Sequence, residues 1–304
     1  MFGGPAAGLP GLSVQTDLPN PSTRPGLRLP GRVTVTANLG EVRIDGVRVG
    51  LVAKVEGADG GQSLVEFHRV PVAGPFLLAA GERRVIPFAA PLPWQTPVTV
   101  LAGVVPLALR LALRTEVLVD AAVERDDLRP VIVHPLPAQD GILTTLDGLG
   151  FQLRAAALRA GRLPGVRQEF SFHQMIGYWV APLYAGPISE LELTFLADPT
   201  GLDVICWADR RLAMSGGGHL SLSRFRVAHA GADRLDWQHV VDGWLRHAVE
   251  RHAWAASRYH TWQHFPESVH ASRPPQHTRD GVDPGFTAGS GGSGGASGGG
   301  GDGT

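Results

Sequence analysis

The sequence predicts an all-β chain built as two tandem antiparallel β-sandwiches, followed by one amphipathic C-terminal α-helix and a disordered Gly/Ser tail. Three observations carry the prediction. Short apolar–polar alternations recur through two blocks, the pattern of strands with one buried face. Turn-forming pairs punctuate them at Pro25-Gly26, Asp45-Gly46 and Gly60-Gly61. A sustained 3.6-residue period occurs only near the C-terminus. The expected boundaries are a first sandwich over 12–137, a connector over 138–150, a second sandwich over 151–232, a helix over 233–265 and a tail over 266–304.

In the first block, Arg32–Thr36 reads RVTVT, with Val33 and Val35 on one face. EVRI and VRVGLVAKV continue the alternation, and further strands are expected over Gln62–Val72, Glu82–Ala89, Val98–Leu113 and Glu116–Val119. The apolar run Pro97–Leu109 is broken by Pro106 and falls short of the roughly twenty residues of a membrane-spanning helix. It reads as paired buried strands. The connector carries Pro135 and Pro137 as a stop. Ile142, Leu143, Leu146 and Leu149 then share one helical face, with Gly148 and Gly150 behind them. That face is expected to pack between the sandwiches before the chain enters the second one at Phe151.

Second-block strands are expected over Phe151–Leu158, Arg167–His173, Ile188–Leu196, Leu202–Asp209 and Leu220–Val227. From Asp233 the period changes. Trp237, Val241, Trp244, Ala248, Ala255, Tyr259 and Trp262 fall near one helical face. Asp233 and Asp236 are candidate caps, and Asp242 precedes Arg246 at i, i+4. Residues 288–304 are nearly all Gly and Ser, too apolar-poor to offset chain entropy.

Composition narrows function. A net charge of -1 argues against a nucleic-acid binder. Lys54 is the only lysine and lies in VAKVE, so there is no phosphate-binding GK[ST] loop. Cys206 is the one cysteine, which suits a reducing, cytoplasmic setting and reads as a small buried strand residue. The N-terminus lacks a basic segment and a continuous apolar core, so no secretory signal is expected. GxGxxG and GxSxG matches lie in the glycine tail, with no flanking strand or helix to give them meaning.

No catalytic constellation is legible, and no cofactor is expected. His260 and His264 have the i, i+4 spacing of two metal ligands on a helix, but no HExxH and no completing cysteine or carboxylate accompanies them; no metal site is expected. Glu116, Glu124, Asp126 and Asp127 read as a solvated charge cluster. Asp209, Arg210 and Arg211 at a strand end read equally as a salt-bridged turn or a partner contact. Trp237 and Trp244 read as core. Trp254 and Trp262 read as exposed, available to a partner protein or a membrane surface.

Several strings then belong together. Val14-Gln-Thr-Asp-Leu18, Arg24-Pro-Gly26, and Leu29, Gly31 and Val33 resemble the opening of arrestin-like domains. Ile86-Pro-Phe88, Leu92-Pro93, Thr96-Pro-Val98 and Leu113–Val119 resemble the bacterial sporulation-control family (SpoOM type) of that clan. So do Asp126-Asp127, Val131 to Pro135, Leu149-Gly-Phe151 with Leu153-Arg154, Gln168–Phe172 and Asp209–Arg211. The resemblance covers about 14–227. It departs at the N-terminus, where Gly, Pro and Ala replace a basic segment, and at Arg24, where relatives carry an aromatic or apolar residue. It implies two arrestin-like sandwiches and a non-enzymatic cytoplasmic adaptor in sporulation or developmental control. The protein partner and oligomeric state are left open, and membrane association through the helix is the alternative.

Overall fold

The structure is a computed structural model that describes residues 11–120, 122–125, 128–210 and 221–263; at 107, 122, 124, 125 and 258–263 it describes the backbone only. The expected all-β architecture with a C-terminal helix is observed. In chain order the strands are β1 (Leu12–Asp17), β2 (Ser22–Thr23), β3 (Arg28–Ala37), β4 (Val42–Ile44), β5 (Gly46–Glu56), β6 (Gln62–Ala73), β7 (Phe76–Leu78), β8 (Arg83–Pro91), β9 (Leu111–Val119), β10 (Ala122–Arg125) and β11 (Arg129–Val133). Helix α1 (Pro137–Gly148) follows, then β12 (Gln152–Ala160), β13 (Phe172–Trp179), β14 (Glu190–Asp198), β15 (Gly201–Ala208) and β16 (Ser221–Ala228), and last α2 (Trp237–Gln263).

The first block is a sandwich. Its smaller sheet, β1-β3-β8, is antiparallel. Alternation in β3 turns Leu29, Val33, Val35 and Ala37 inward, each fully buried. The facing layer is β5 between β6 and β9, whose Val47, Val49, Leu51 and Ala53 meet them in one core. The Thr16 and Thr115 hydroxyls hydrogen bond across this core at 2.6 Å.

Strands β12 to β16 form an antiparallel meander that continues the large sheet of the first block. The continuation is narrow: β12 lies parallel to β5 through one registered pair, Arg159 with Glu56. Parallel pairing also joins β11 to β2. The layer opposite the meander is made by α1, α2 and the 94–98 segment. That segment is pinned by Gln174, which donates to the Val98 carbonyl at 2.7 Å and accepts from its N–H at 3.0 Å.

Two expected strands are corrected. Residues 97–110 are not paired strands. They form an irregular passage with a Leu101–Val104 bridge and a 3-10 turn at Leu107–Leu109. Pro97 and Pro106 offer no N–H to a ladder, and Ala102 and Gly103 have positive φ. Arg167–His173 is not a strand either; the strand begins at Phe172. Gln168 folds inward there, accepting from Leu163 N and donating to the Gly161, Phe170 and Phe172 carbonyls. That side chain replaces the sheet partners which the QEFSF alternation suggests.

Helix α1 starts at Pro137, where a missing N–H costs nothing. Gln139 accepts from Leu136 N at 2.8 Å. Pro135, Ile142 and Leu146 are buried, Leu149 is half-buried, and Phe151 packs against Tyr184 with ring centroids 5.5 Å apart. Ile142 and Leu146 face α2 and the β12–β16 meander, meeting Leu191, Leu193, Val204 and Trp244. Gly141 gives the closest approach: a Cβ there would lie 2.4 Å from the Trp237 indole nitrogen.

Candidate functional site

Helix α2 begins where Asp236 accepts from His239 N at 3.1 Å, one of the two expected caps. Its buried stripe is Val241, Leu245, Ala248 and His252, close to the predicted face. Trp237 and Trp244 flank it, partly buried. Trp244 stacks on Phe225 of β16 at 4.8 Å, and the His247 ring meets the same phenyl edge-on at 6.1 Å. The Tyr184 hydroxyl donates to Asp242, which also accepts from Arg246 at 2.8 Å. Burial first, then the Asp242 carboxylate, pushes that hydroxyl's pKa up to about 12.

Asp209 turns inward. It follows directly on β15 at a φ of 50° and is 8% exposed. One carboxylate oxygen accepts from Ser189 N, Ser189 Oγ and Glu190 N at 2.8–3.0 Å. The other lies 3.3 Å from His252 Nε2, and His252 Nδ1 lies 3.0 Å from Ser221 Oγ. A carboxylate, an imidazole and a hydroxyl thus stand in one line, the imidazole hydrogen bonded to the hydroxyl and within ion-pair distance of the carboxylate. Its evident effect is mechanical: α2, the end of β15 and the start of β16 meet at His252. Sequence spacing could not show this, because the three residues lie on separate elements.

Arg210 turns to the opposite face of the meander. It donates to Glu192 at 2.7 Å and lies over the Trp207 ring at 5.0 Å. Arg159 reaches the other Glu192 oxygen at 3.4 Å. Arg154 sits 3.6 Å from Glu190 and over the Trp179 ring. Gly177 leaves room for that guanidinium, since a Cβ would lie 2.8 Å from it. The buried carboxylates Glu190 and Glu192 are therefore matched by arginines. Glu116 likewise is not part of a solvated cluster. It is 3% exposed and accepts from Arg48 at 2.6 Å. Glu124 lies outside the described side chains, and Asp126 and Asp127 outside the described residues.

Of the other candidates, Arg211 and His264 lie outside the described residues, and the side chains of His260 and Trp262 are not among those described. Trp254 is 62% exposed on α2. It borders an open groove of about 820 Å³ together with Ser221, Leu222, His247 and Arg251. Among the described residues no group of His, Cys, Asp and Glu could hold a metal, and no helix is long and apolar enough to cross a membrane.

A β-sandwich continued into a helix-backed meander, with charged pairs buried on one face and an aromatic groove on the other, defines a β-rich fold. The chain belongs to the SpoOM protein family, whose model matches residues 5–212. It is similar to the sporulation-control protein spo0M of Bacillus subtilis (strain 168), at 34% identity over 149 residues covering 47% of this chain. That alignment spans about half the relative's length, 53% of it. The crystal structure of Spo0M from Bacillus subtilis superposes with a TM-score of 0.67, covering 79% of this chain and all of that one at 24% identity. It shares the fold.

Proposed function

We propose that the protein is a non-enzymatic cytoplasmic adaptor in sporulation or developmental control, acting by protein–protein contact through the groove beside Trp254. Family membership supports the sporulation role. The observation that carries the mechanism is the way α2 spends its apolar surface. Val241, Leu245 and Ala248 are buried against the meander and α1, while Trp254 stays outside with Leu222 beside it. An exposed indole over a mixed apolar and charged groove suits a protein hot spot. An interfacial membrane helix needs its whole apolar face uncovered, which weighs against anchoring by α2.

The test is crosslinked affinity capture from the native cell with the full chain and with Trp254→Ser, alongside liposome flotation of the same two proteins. The adaptor reading expects one or more proteins captured by the wild type and depleted with the variant, and no flotation. Flotation that depends on Trp254, without a Trp254-dependent protein, establishes the membrane reading instead.

A further inference from the structure

The seam between the two blocks contains an open strand edge. Strand β12 pairs with β13 along its length apart from a bulge at Arg154, yet on its other side, among the described residues, it is in register with β5 only at Arg159. β9 stays with β5 as far as Ala53–Leu111. Beyond that pair β5 reaches across to β12, and the 3-10 turn at Leu107–Leu109 stands in the fork. The result is a wedge of about 520 Å³ bordered by Ala155 and Ala157 on one side and by Lys54, Glu56 and Arg110 on the other. An unpaired edge of this kind presents main-chain donors and acceptors to any extended chain laid beside it. Small side chains at 155–157 keep the β12 side of the wedge low, facing the 3-10 turn at Ala108.

Charge selects the occupant. Lys54 and Arg110 are exposed, and among the described residues neither has an acidic partner, although buried arginines elsewhere on this sheet are matched. Arg159, the third cation at the wedge, is held by Glu192 at 3.4 Å. Among the described residues lining the wedge, Glu56 is the single carboxylate. The two unmatched cations outnumber it, and both sit across the gap from the edge. We infer that the wedge receives an extended acidic segment of a partner protein, which adds to β12 as a strand while its carboxylates meet Lys54 and Arg110. This inference rests on the adaptor reading and names the chemistry of one partner segment.

The probe is a fluorescent peptide of about eight residues alternating Glu and Val, enough to match the open edge. Controls are the same peptide with Lys for Glu, and an acidic peptide with Pro at alternate positions, which cannot supply ladder N–H groups. Anisotropy is measured with the full chain and with Lys54→Glu/Arg110→Glu. Both replaced residues are exposed, and an unchanged melting curve confirms that the variant folds. The expected result is binding of the Glu/Val peptide alone, weakened about tenfold or more in the variant. Binding of the Pro peptide as tight as that of the Glu/Val peptide overturns strand addition. Equal binding of the Lys peptide, no binding, or no change in the variant overturns the inference. Protein capture that persists undiminished in the double variant also overturns it and leaves the adaptor reading standing, whereas wild-type capture of nothing removes the adaptor reading.

Discussion

Replacing Gly141 by Ala tests the packing of α1 against α2, because two effects oppose each other in sign. On an open helix surface, Gly→Ala stabilises by about 1 kcal/mol. At Gly141 the new methyl carbon falls 2.4 Å from Trp237 Nε1 and 2.5 Å from two further indole atoms, well inside contact distance. The indole is not free to yield, since its N–H donates to the Ala232 carbonyl at 3.0 Å. Displacing it costs about 1 kcal/mol for the hydrogen bond and about 1–3 kcal/mol for repacking. The net expectation is a loss of about 1–3 kcal/mol after the propensity gain. Urea unfolding followed by circular dichroism reads this as a lower midpoint. In a Trp237→Ala background the clash is gone, and the same replacement should stabilise by about 1 kcal/mol. A higher midpoint for Gly141→Ala with Trp237 present would refute the close approach.

Other expectations are independent of that contact. His173 is buried, and desolvation lowers its pKa from 6.5 to about 4. The unfolded chain therefore takes up the proton first, and stability present above pH 6.5 is lost as pH falls toward 4, by at most roughly 3 kcal/mol. Urea midpoints at pH 7 and pH 4.5 should converge less for the wild type than for His173→Gln; an identical acid loss in both removes this account. Burial pushes the Cys206 thiol up to about 12, so it should react with a thiol reagent only on unfolding, and fast native labelling contradicts its placement. Ser221, Asp209 and His252 are assigned a structural task. A fluorophosphonate probe should leave Ser221 unlabelled, while labelling lost in Ser221→Ala would show a reactive nucleophile. Leu146→Ala, which empties a site 1% exposed between α1 and the meander, should cost about 2–5 kcal/mol by thermal or denaturant melting, and a change below about 0.5 kcal/mol would contradict that packing.

What the sequence made legible follows from the range of each interaction. Alternation in β3 and the period of α2 are local, and both were readable: Val33 and Val35 are buried together, as are Val241 and Ala248. Asp242–Arg246, an i, i+4 pair, was equally visible. The 97–110 run misled because apolar content was read as pairing, although its prolines remove ladder donors. Gln168 misled because a polar residue in an alternating string reads as an outward position, and here its amide takes up the bonds that a neighbouring strand would otherwise make. The site was less legible than the fold. Asp209 could be seen at a strand end, but its line to His252 and Ser221 depends on α2 crossing the rim of the sheet. The wedge at Lys54 depends on β5 leaving β9 for β12, which no local pattern encodes.

The proposed adaptor role has α2 docked on the meander with its apolar stripe buried and Trp254 left as a protein-contact residue. Crosslinked capture from the native cell, comparing the wild type with Trp254→Ser at matched stability, tests it most directly. A protein set recovered by the wild type and depleted in the variant is the expected result; equal recovery by both, or recovery of nothing, contradicts the role.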